Sequence, residues 1–106
     1  MRQTITSHHF DDSDGNPAGG TTNGPGLTIG WQNGPLGIDG HRDEPNGCFV
    51  ETVLVAALDR LEYYERSKFA CDENKNAIRH IQDALTELGR RTRSREERGV
   101  EGTHQI

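Results

Sequence analysis

The sequence predicts an α+β protein, in which a small antiparallel β-hairpin or sheet precedes a long antiparallel helical hairpin in an oligomeric assembly. Two observations predict this division. All four prolines and ten of the thirteen glycines lie within residues 15–47, which excludes long helices there. Beyond residue 47, apolar residues recur at intervals of three and four, the period of an amphipathic helix.

The predicted parts follow from these changes in composition. Residues 1–22 are polar and glycine-rich, so most of this stretch is predicted to be a flexible tail or loop. The other parts are a Gly/Pro-rich β-hairpin region at 23–47, a helical hairpin at 48–99 and a C-terminal tail at 100–106.

The β-hairpin region contains one clear strand signal. Leu27, Ile29 and Trp31 alternate with small or polar residues, the period-two pattern of a strand. A turn is predicted next, at Asn33-Gly34-Pro35. The apolar residues at 36 and 38 then predict a short returning strand.

The first predicted helix spans about 48–66, with Asn46 as its N-cap. Its apolar face has helical spacing and consists of Val50, Val53, Leu54, Ala57, Leu58, Leu61 and Tyr64.

The second predicted helix begins with Asp72 as its cap and ends at Gly99, a residue suited to a left-handed C-cap. Its apolar seam at 3-4-3 spacing is formed by Ile78, Ile81, Leu85 and Leu88. Since the link between the helices is short, we expect them to pack antiparallel.

Bulk composition limits what such a chain does. The 106 residues are only 30% hydrophobic, so a monomer would have a small core and an oligomer would be more stable. The net charge of −5 argues against a protein that binds duplex DNA. It does not exclude a small anion held by a local group of arginines.

An arginine-rich block lies at the end of the second helix. Residues 90–98 contain five arginines against two glutamates, a net charge of +3 in an otherwise acidic chain. Continuing the apolar seam predicts that Arg91, Arg95 and Arg98 extend this face, whereas Arg90 and Arg93 point elsewhere. An apolar groove that ends in guanidinium groups suits a ligand with a flat apolar part and an anionic part. Spacing alone favours another interpretation, cations that stabilise the C-terminal end of a helix.

No catalytic or metal-binding motif is recognisable. The cysteines at 48 and 71 are far apart without zinc spacing, which predicts free thiols and a cytoplasmic protein, and the N-terminus lacks a signal-peptide pattern. A polar tract at 8–14 contains two histidines and three aspartates, but its predicted mobility argues against a metal site. We therefore predict a non-enzyme without cofactor or metal.

The stretch Phe69–His104 resembles the C-terminal hairpin of the phage anti-CBASS and anti-Thoeris sponges, which sequester nucleotide-derived immune signals of bacteria. The resemblance is carried by FACDEN at 69–74 and by RTRSREERGVEGT at 91–103. The sequence WQNGP at 31–35 is also similar to the strand and turn that precede this hairpin in the anti-Thoeris branch.

The resemblance implies a non-catalytic protein of the host cytoplasm that assembles as a dimer or hexamer. Its implied ligands are cyclic ADP-ribose isomers and cyclic di- or trinucleotides, with the ADP-ribose pocket between protomers near the helix termini. On matching positions, Asn74 would hydrogen-bond the ligand, Arg91 and Arg95 would bind phosphate, and Tyr64 would stack on a base. Phe69 is a second aromatic candidate, with a place in the core as its alternative. The motif Gly102-Thr103-His104 matches without an assigned role.

Two other functions compete with the sponge. One is a structural module of a phage or bacterial assembly, whose helical seam mediates oligomerisation. The other is a binder of single-stranded nucleic acid through Trp31 and the arginines, which the acidic remainder of the chain disfavours.

Overall fold

The computed structural model describes residues 4–34 and 44–97, which divide into two compact units. The first contains three strands, β1 (Thr6–Asp11), β2 (Pro17–Gly24) and β3 (Leu27–Trp31), together with the segment 44–49. The second contains two helices, α1 (Val50–Glu65) and α2 (Asp72–Glu97). The predicted α+β class is confirmed.

The strands form an antiparallel sheet in the order β1-β2-β3. The strand predicted from Leu27, Ile29 and Trp31 is present as β3. The prediction that most of residues 1–22 is tail or loop is wrong, because β1 and most of β2 lie there. The returning strand predicted at 36–38 lies outside the described residues.

Turn chemistry explains why such a polar stretch forms strands. Between β1 and β2, the Asp12 carboxylate accepts hydrogen bonds from the backbone amides of Asp14 (2.9 Å) and Asn16 (3.0 Å). Between β2 and β3 only Pro25 and Gly26 intervene, and Gly26 has a φ of 72°. Proline followed by a glycine with positive φ is the pattern of a type II turn. Both connections therefore favour the antiparallel pairing of strands with few apolar residues.

Side-chain hydrogen bonds contribute to holding the three strands together, because few residues of the sheet are buried. Thr22 and Ile29 are the only buried residues in the described part of the chain, and they face each other on β2 and β3. The Thr22 hydroxyl accepts a hydrogen bond from Trp31 Nε1 at 2.8 Å and shares another with Ser7 Oγ at 2.9 Å. This network links all three strands and compensates for the small apolar core.

The segment before α1 is attached to the end of β3 by backbone pairing. Cys48 donates its amide to Gly30 O at 2.7 Å and accepts from Gln32 N at 3.0 Å. A Cβ on Gly47 would lie 2.5 Å from the Trp31 carbonyl, so this close approach requires glycine. Because the Asn46 side chain forms hydrogen bonds with the backbone of Asn33, it is not the predicted cap of the first helix.

The two helices closely match their predicted extents. The first was predicted at about 48–66 and is Val50–Glu65. The second begins at Asp72, but its cap is Cys71, whose Sγ accepts a hydrogen bond from Asn74 N at 3.4 Å. Asp72 is therefore the first helical residue rather than the cap. The predicted C-cap at Gly99 lies outside the described residues.

The helices pack against each other through incompletely buried faces. The half-buried positions of α2 recur at helical spacing and are Asn74, Ala77, Ile78, Ile81, Ala84, Leu85, Leu88, Thr92 and Arg95. No residue of either helix is buried. The predicted seam is therefore correct in position, yet one copy of the chain leaves part of it accessible.

Helix length determines what lies at each end of the hairpin. With 16 and 26 residues, α1 and α2 are about 24 Å and 39 Å long. The six-residue link 66–71 places the start of α2 beside the end of α1, so the last ten or so residues of α2 extend past α1. Within the described residues, neither helix is long and apolar enough to cross a membrane.

Candidate functional site: two clusters on the helical hairpin

The predicted site residues fall into two groups, one at each end of α2. We call Tyr64, Phe69 and Asn74, which lie around the link between the helices, the link cluster. The arginine cluster comprises Arg90, Arg91, Arg93 and Arg95 in the last two turns of α2.

The backbone of the link is fixed by local hydrogen bonds. Ser67 Oγ donates to the Tyr64 carbonyl and accepts from the Phe69 amide at 3.1 Å. On the other side, Glu65 Oε1 accepts from the Cys71 amide at 2.9 Å. These contacts hold Phe69 between two helix ends whose positions are set by packing.

Phe69 is not a core residue of this chain, which removes the alternative considered for it. Its side chain is 66% exposed, and the Lys68 ammonium lies 5.4 Å from its ring centroid. An exposed aromatic ring beside a cation has the chemistry required for stacking on a flat ligand.

Asn74 is half-buried and joins the link to the first turn of α2. Its Nδ2 donates to the Phe69 carbonyl at 3.3 Å, while its backbone amide donates to Cys71 Sγ. Within the described residues, the side-chain oxygen Oδ1 has no hydrogen-bond donor. Asn74 is therefore held in place by its nitrogen and keeps an acceptor for a ligand.

Tyr64 is half-buried and belongs to an aromatic group with an arginine. Its ring centroid lies 5.9 Å from that of Tyr63, with the planes inclined at 51°. The Arg60 guanidinium lies over both rings, 4.9 Å from the centroid of Tyr63 and 5.0 Å from that of Tyr64. Arg60 Nε also donates to the Tyr64 hydroxyl at 3.2 Å, and this hydrogen bond raises the pKa of Arg60.

Sequence reasoning did not identify Arg60. The available signal was its spacing, because residues three and four apart on a helix are neighbours and Arg60 therefore precedes Tyr63 and Tyr64 by one turn.

Burial separates the two predicted phosphate-binding arginines. The half-buried face of α2 continues from Leu88 to Thr92 and then to Arg95, so Arg95 lies on the predicted continuation of the seam. Arg91 is exposed, and its neighbour Thr92 occupies the half-buried face instead. The prediction that Arg91 lies on this face is therefore corrected. The reason is that the step from Leu88 is four residues rather than three. Arg91 and Arg95 are still one turn apart, so both guanidinium groups can reach one anion.

The remaining arginines of the block differ from this pair. Arg90 forms a salt bridge with Glu87 on the exposed side of α2, which agrees with its predicted orientation away from the seam. Arg93 is also exposed. Arg98 and the motif Gly102-Thr103-His104 lie outside the described residues.

The two clusters do not meet within one chain. Asn74 and Arg91 are 17 residues apart on one continuous helix, a separation of about 26 Å along its axis. One small nucleotide does not span this distance. The structure therefore brings together Tyr64, Phe69 and Asn74 at one end, and Arg91 and Arg95 at the other.

The described residues contain no group of three or more His, Cys, Asp or Glu side chains arranged to hold a metal ion. The free thiols predicted for Cys48 and Cys71 are present as unpaired cysteines.

A comparison with known proteins identifies the family of this chain. No protein-family model matches it. It is 41% identical over 79 residues to Thoeris anti-defense 1 of Bacillus phage SBSphiJ7, and the match covers 74% of this chain and 53% of that protein. The chain is a relative of the phage anti-Thoeris proteins. Its resemblance to the anti-Thoeris branch is thus confirmed, and the chain spans about half the length of this anti-Thoeris relative.

Proposed function

We propose that the chain is a phage-encoded sponge that binds a nucleotide-derived immune signal in the host cytoplasm and sequesters it intact, thereby blocking anti-phage defence. The observation that carries this proposal is the 41% identity to a protein named for Thoeris anti-defence. The signals we propose are cyclic ADP-ribose isomers, cyclic di- or trinucleotides, or both.

The chemistry of the two clusters supports a ligand of this class. The link cluster has aromatic rings and the Asn74 amide, which suit a base. The arginine cluster brings guanidinium groups together on the last turns of α2, and such groups suit phosphates because they donate paired hydrogen bonds. A cyclic ADP-ribose isomer combines a base with a pyrophosphate and would engage both.

The separation of the clusters supports a site built from two copies of the chain. A ligand that uses the aromatic rings and the arginines together must take them from different protomers, because they are about 26 Å apart in one. The helical hairpin also has no buried residue, so a second copy would cover apolar surface that one copy leaves accessible. We therefore propose a homo-oligomer, a dimer or a hexamer.

We further propose that binding is not followed by turnover. Among the described residues, the clusters contain no nucleophile paired with a base and no metal-binding group.

Calorimetric titration with cyclic ADP-ribose isomers and cyclic di- and trinucleotides tests the function directly. Saturable binding of one of them, with the same ligand recovered unchanged from the boiled complex, is the expected result. Recovery of an altered ligand at a rate that follows protein concentration would show an enzyme instead. An oligomer that binds none of these ligands would favour the structural module.

A further inference from the structure

No carboxylate lies one helical turn from Arg60, and the adjacent Asp59 forms no salt bridge with it. The neighbours of Arg60 one turn away on α1 are Ala56, Ala57, Tyr63 and Tyr64. Arg90 in α2 offers the contrast, since its neighbour Glu87 forms a salt bridge with it. In the described part of the chain, no carboxylate lies within salt-bridge distance of Arg60.

The two tyrosines position the Arg60 guanidinium without neutralising it. Nε donates to the Tyr64 hydroxyl at 3.2 Å, and the guanidinium carbon lies about equally far from both ring centroids, at 4.9 and 5.0 Å. The hydrogen bond uses one nitrogen of the group, Nε. The terminal nitrogens, with four of its five N–H donors, have no hydrogen-bond partner among the described residues.

An exposed arginine normally loses conformational entropy when it binds an anion. Because Tyr63 and Tyr64 already hold Arg60, part of this loss has occurred before a ligand arrives. The result is an oriented positive charge within the link cluster, beside the aromatic ring to which the proposed function assigns base stacking.

We propose that Arg60 is an anion-binding residue of the site, which donates its terminal N–H groups to a phosphate of the ligand whose base stacks at the link cluster. This inference rests on the proposed function for its biological ligand. It adds a cation at the end of the hairpin opposite the arginine cluster. A phosphate-bearing ligand would thus be held by guanidinium groups at both ends of the site.

The alternative is that Arg60 only stabilises the tyrosine pair. The two interpretations predict different salt dependences of the ligand affinity. A guanidinium that contacts phosphate makes the affinity fall as salt increases, whereas a guanidinium that packs against tyrosines away from the phosphate contributes less to this dependence.

The first test compares Arg60→Ala and Arg60→Lys with the unmodified chain by calorimetry, using the cyclic ADP-ribose isomer that binds best. Arg60→Ala should weaken binding about ten- to a hundredfold and flatten its salt dependence. Arg60→Lys should retain part of the affinity and the salt dependence, because it keeps the charge but loses the planar fork. Arg79→Ala, which removes an exposed arginine from α2, is the control and should bind like the unmodified chain. Equal affinity of Arg60→Ala and the unmodified chain, or a weaker affinity with unchanged salt dependence, would overturn the inference.

The second test uses inorganic pyrophosphate as a probe and does not depend on the identity of the signal. The Nε–H resonance of Arg60, assigned by its absence in Arg60→Lys, should shift on titration by nuclear magnetic resonance, while that of Arg79 should not. A shift without binding of any cyclic ADP-ribose isomer or cyclic oligonucleotide would refute the proposed function but support the role of Arg60. Tight binding of one of these ligands with no shift and no effect of Arg60→Ala would refute only the role of Arg60.

Discussion

The two ends of the helical hairpin carry complementary chemistry with different degrees of local order. At the link, Phe69, Asn74 and Tyr64 are connected to neighbouring groups by backbone or side-chain hydrogen bonds. At the other end, Arg91 is exposed and Arg95 is half-buried on the last turns of α2, past the start of α1. Contacts within the chain thus hold the residues of the link cluster in position before a ligand binds. An exposed side chain such as that of Arg91 gains most of its order from what it binds, so substitutions at the two ends should differ in their effects on binding and on stability.

The largest effect on ligand binding is expected at the arginine end. Each charge-assisted hydrogen bond contributes about 1.5–3 kcal/mol, so Arg91→Ala or Arg95→Ala should weaken binding roughly ten- to a hundredfold. The free energy of unfolding should change by only about 0.3–1 kcal/mol, because a cation near a helix end contributes little more. Calorimetric titration and thermal melting of the same preparations measure both quantities.

Arg93→Ala is the matched control for this pair, since Arg93 is an exposed arginine in the same turn. It should bind nearly as well as the unmodified chain. A loss equal to that of Arg95→Ala would mean that the block acts as diffuse charge without a defined pocket. Melting temperatures lowered in Arg91→Ala and Arg95→Ala, with ligand affinity unchanged, would support the helix-dipole interpretation.

The next largest effect should come from the aromatic ring of the link cluster. Stacking of one base on an aromatic side chain contributes about 1–3 kcal/mol, so Tyr64→Ala should weaken binding roughly five- to a hundredfold. Tyr64→Phe keeps the ring and loses only the acceptor for Arg60, so it should retain most of the affinity. Val55→Ala, at a half-exposed position of α1, is the control for the loss of apolar surface. Equal affinities of Tyr64→Ala and Val55→Ala would rule out stacking on Tyr64.

Helix α2 and strand β1 differ in how well the sequence alone predicts them. Helix α2 was predicted well because Ile78, Ile81, Leu85 and Leu88 repeat at helical spacing, a signal that needs no tertiary information. Strand β1 was missed because its stability depends on contacts that have no period. These are the turn at Asp12 and the hydrogen bonds of Thr22 across the sheet.

The residues of the candidate site were also only partly predictable from the sequence. The resemblance to the sponge family identified residues by position, but it did not reveal that Phe69 is exposed or that Arg91 lies beside the seam. Arg60 was missed because its role follows from the orientation of two tyrosine rings, which depends on side-chain rotamers and not on spacing alone.

A smaller effect, and one on stability as well as on binding, is expected at Asn74. Asn74→Ala removes the hydrogen bond from Nδ2 to the Phe69 carbonyl, which should lower the free energy of unfolding by about 0.5–1.5 kcal/mol. Asn76→Ala, at an exposed position in the same turn, is the control and should melt like the unmodified chain. If Asn74→Ala also melts like the unmodified chain, the link cluster is not held in place by this contact.

The smallest effect, and the one that isolates local order at the link, is expected at Cys71. Its Sγ caps α2 by accepting the Asn74 amide at 3.4 Å, and sulfur is a weak acceptor. Cys71→Ser provides an oxygen, the preferred N-cap atom, and should stabilise the chain by a few tenths of a kcal/mol to about 1 kcal/mol. Cys71→Ala removes the acceptor and should melt at the lowest temperature of the three, since no group then satisfies the Asn74 amide. Because this amide belongs to the first turn of α2, the stability should follow the order Ser, Cys, Ala while ligand affinity changes little. If Cys71→Ala and Cys71→Ser melt together, the sulfur contributes nothing as a cap, and the order of the link depends on Ser67 and Glu65 instead.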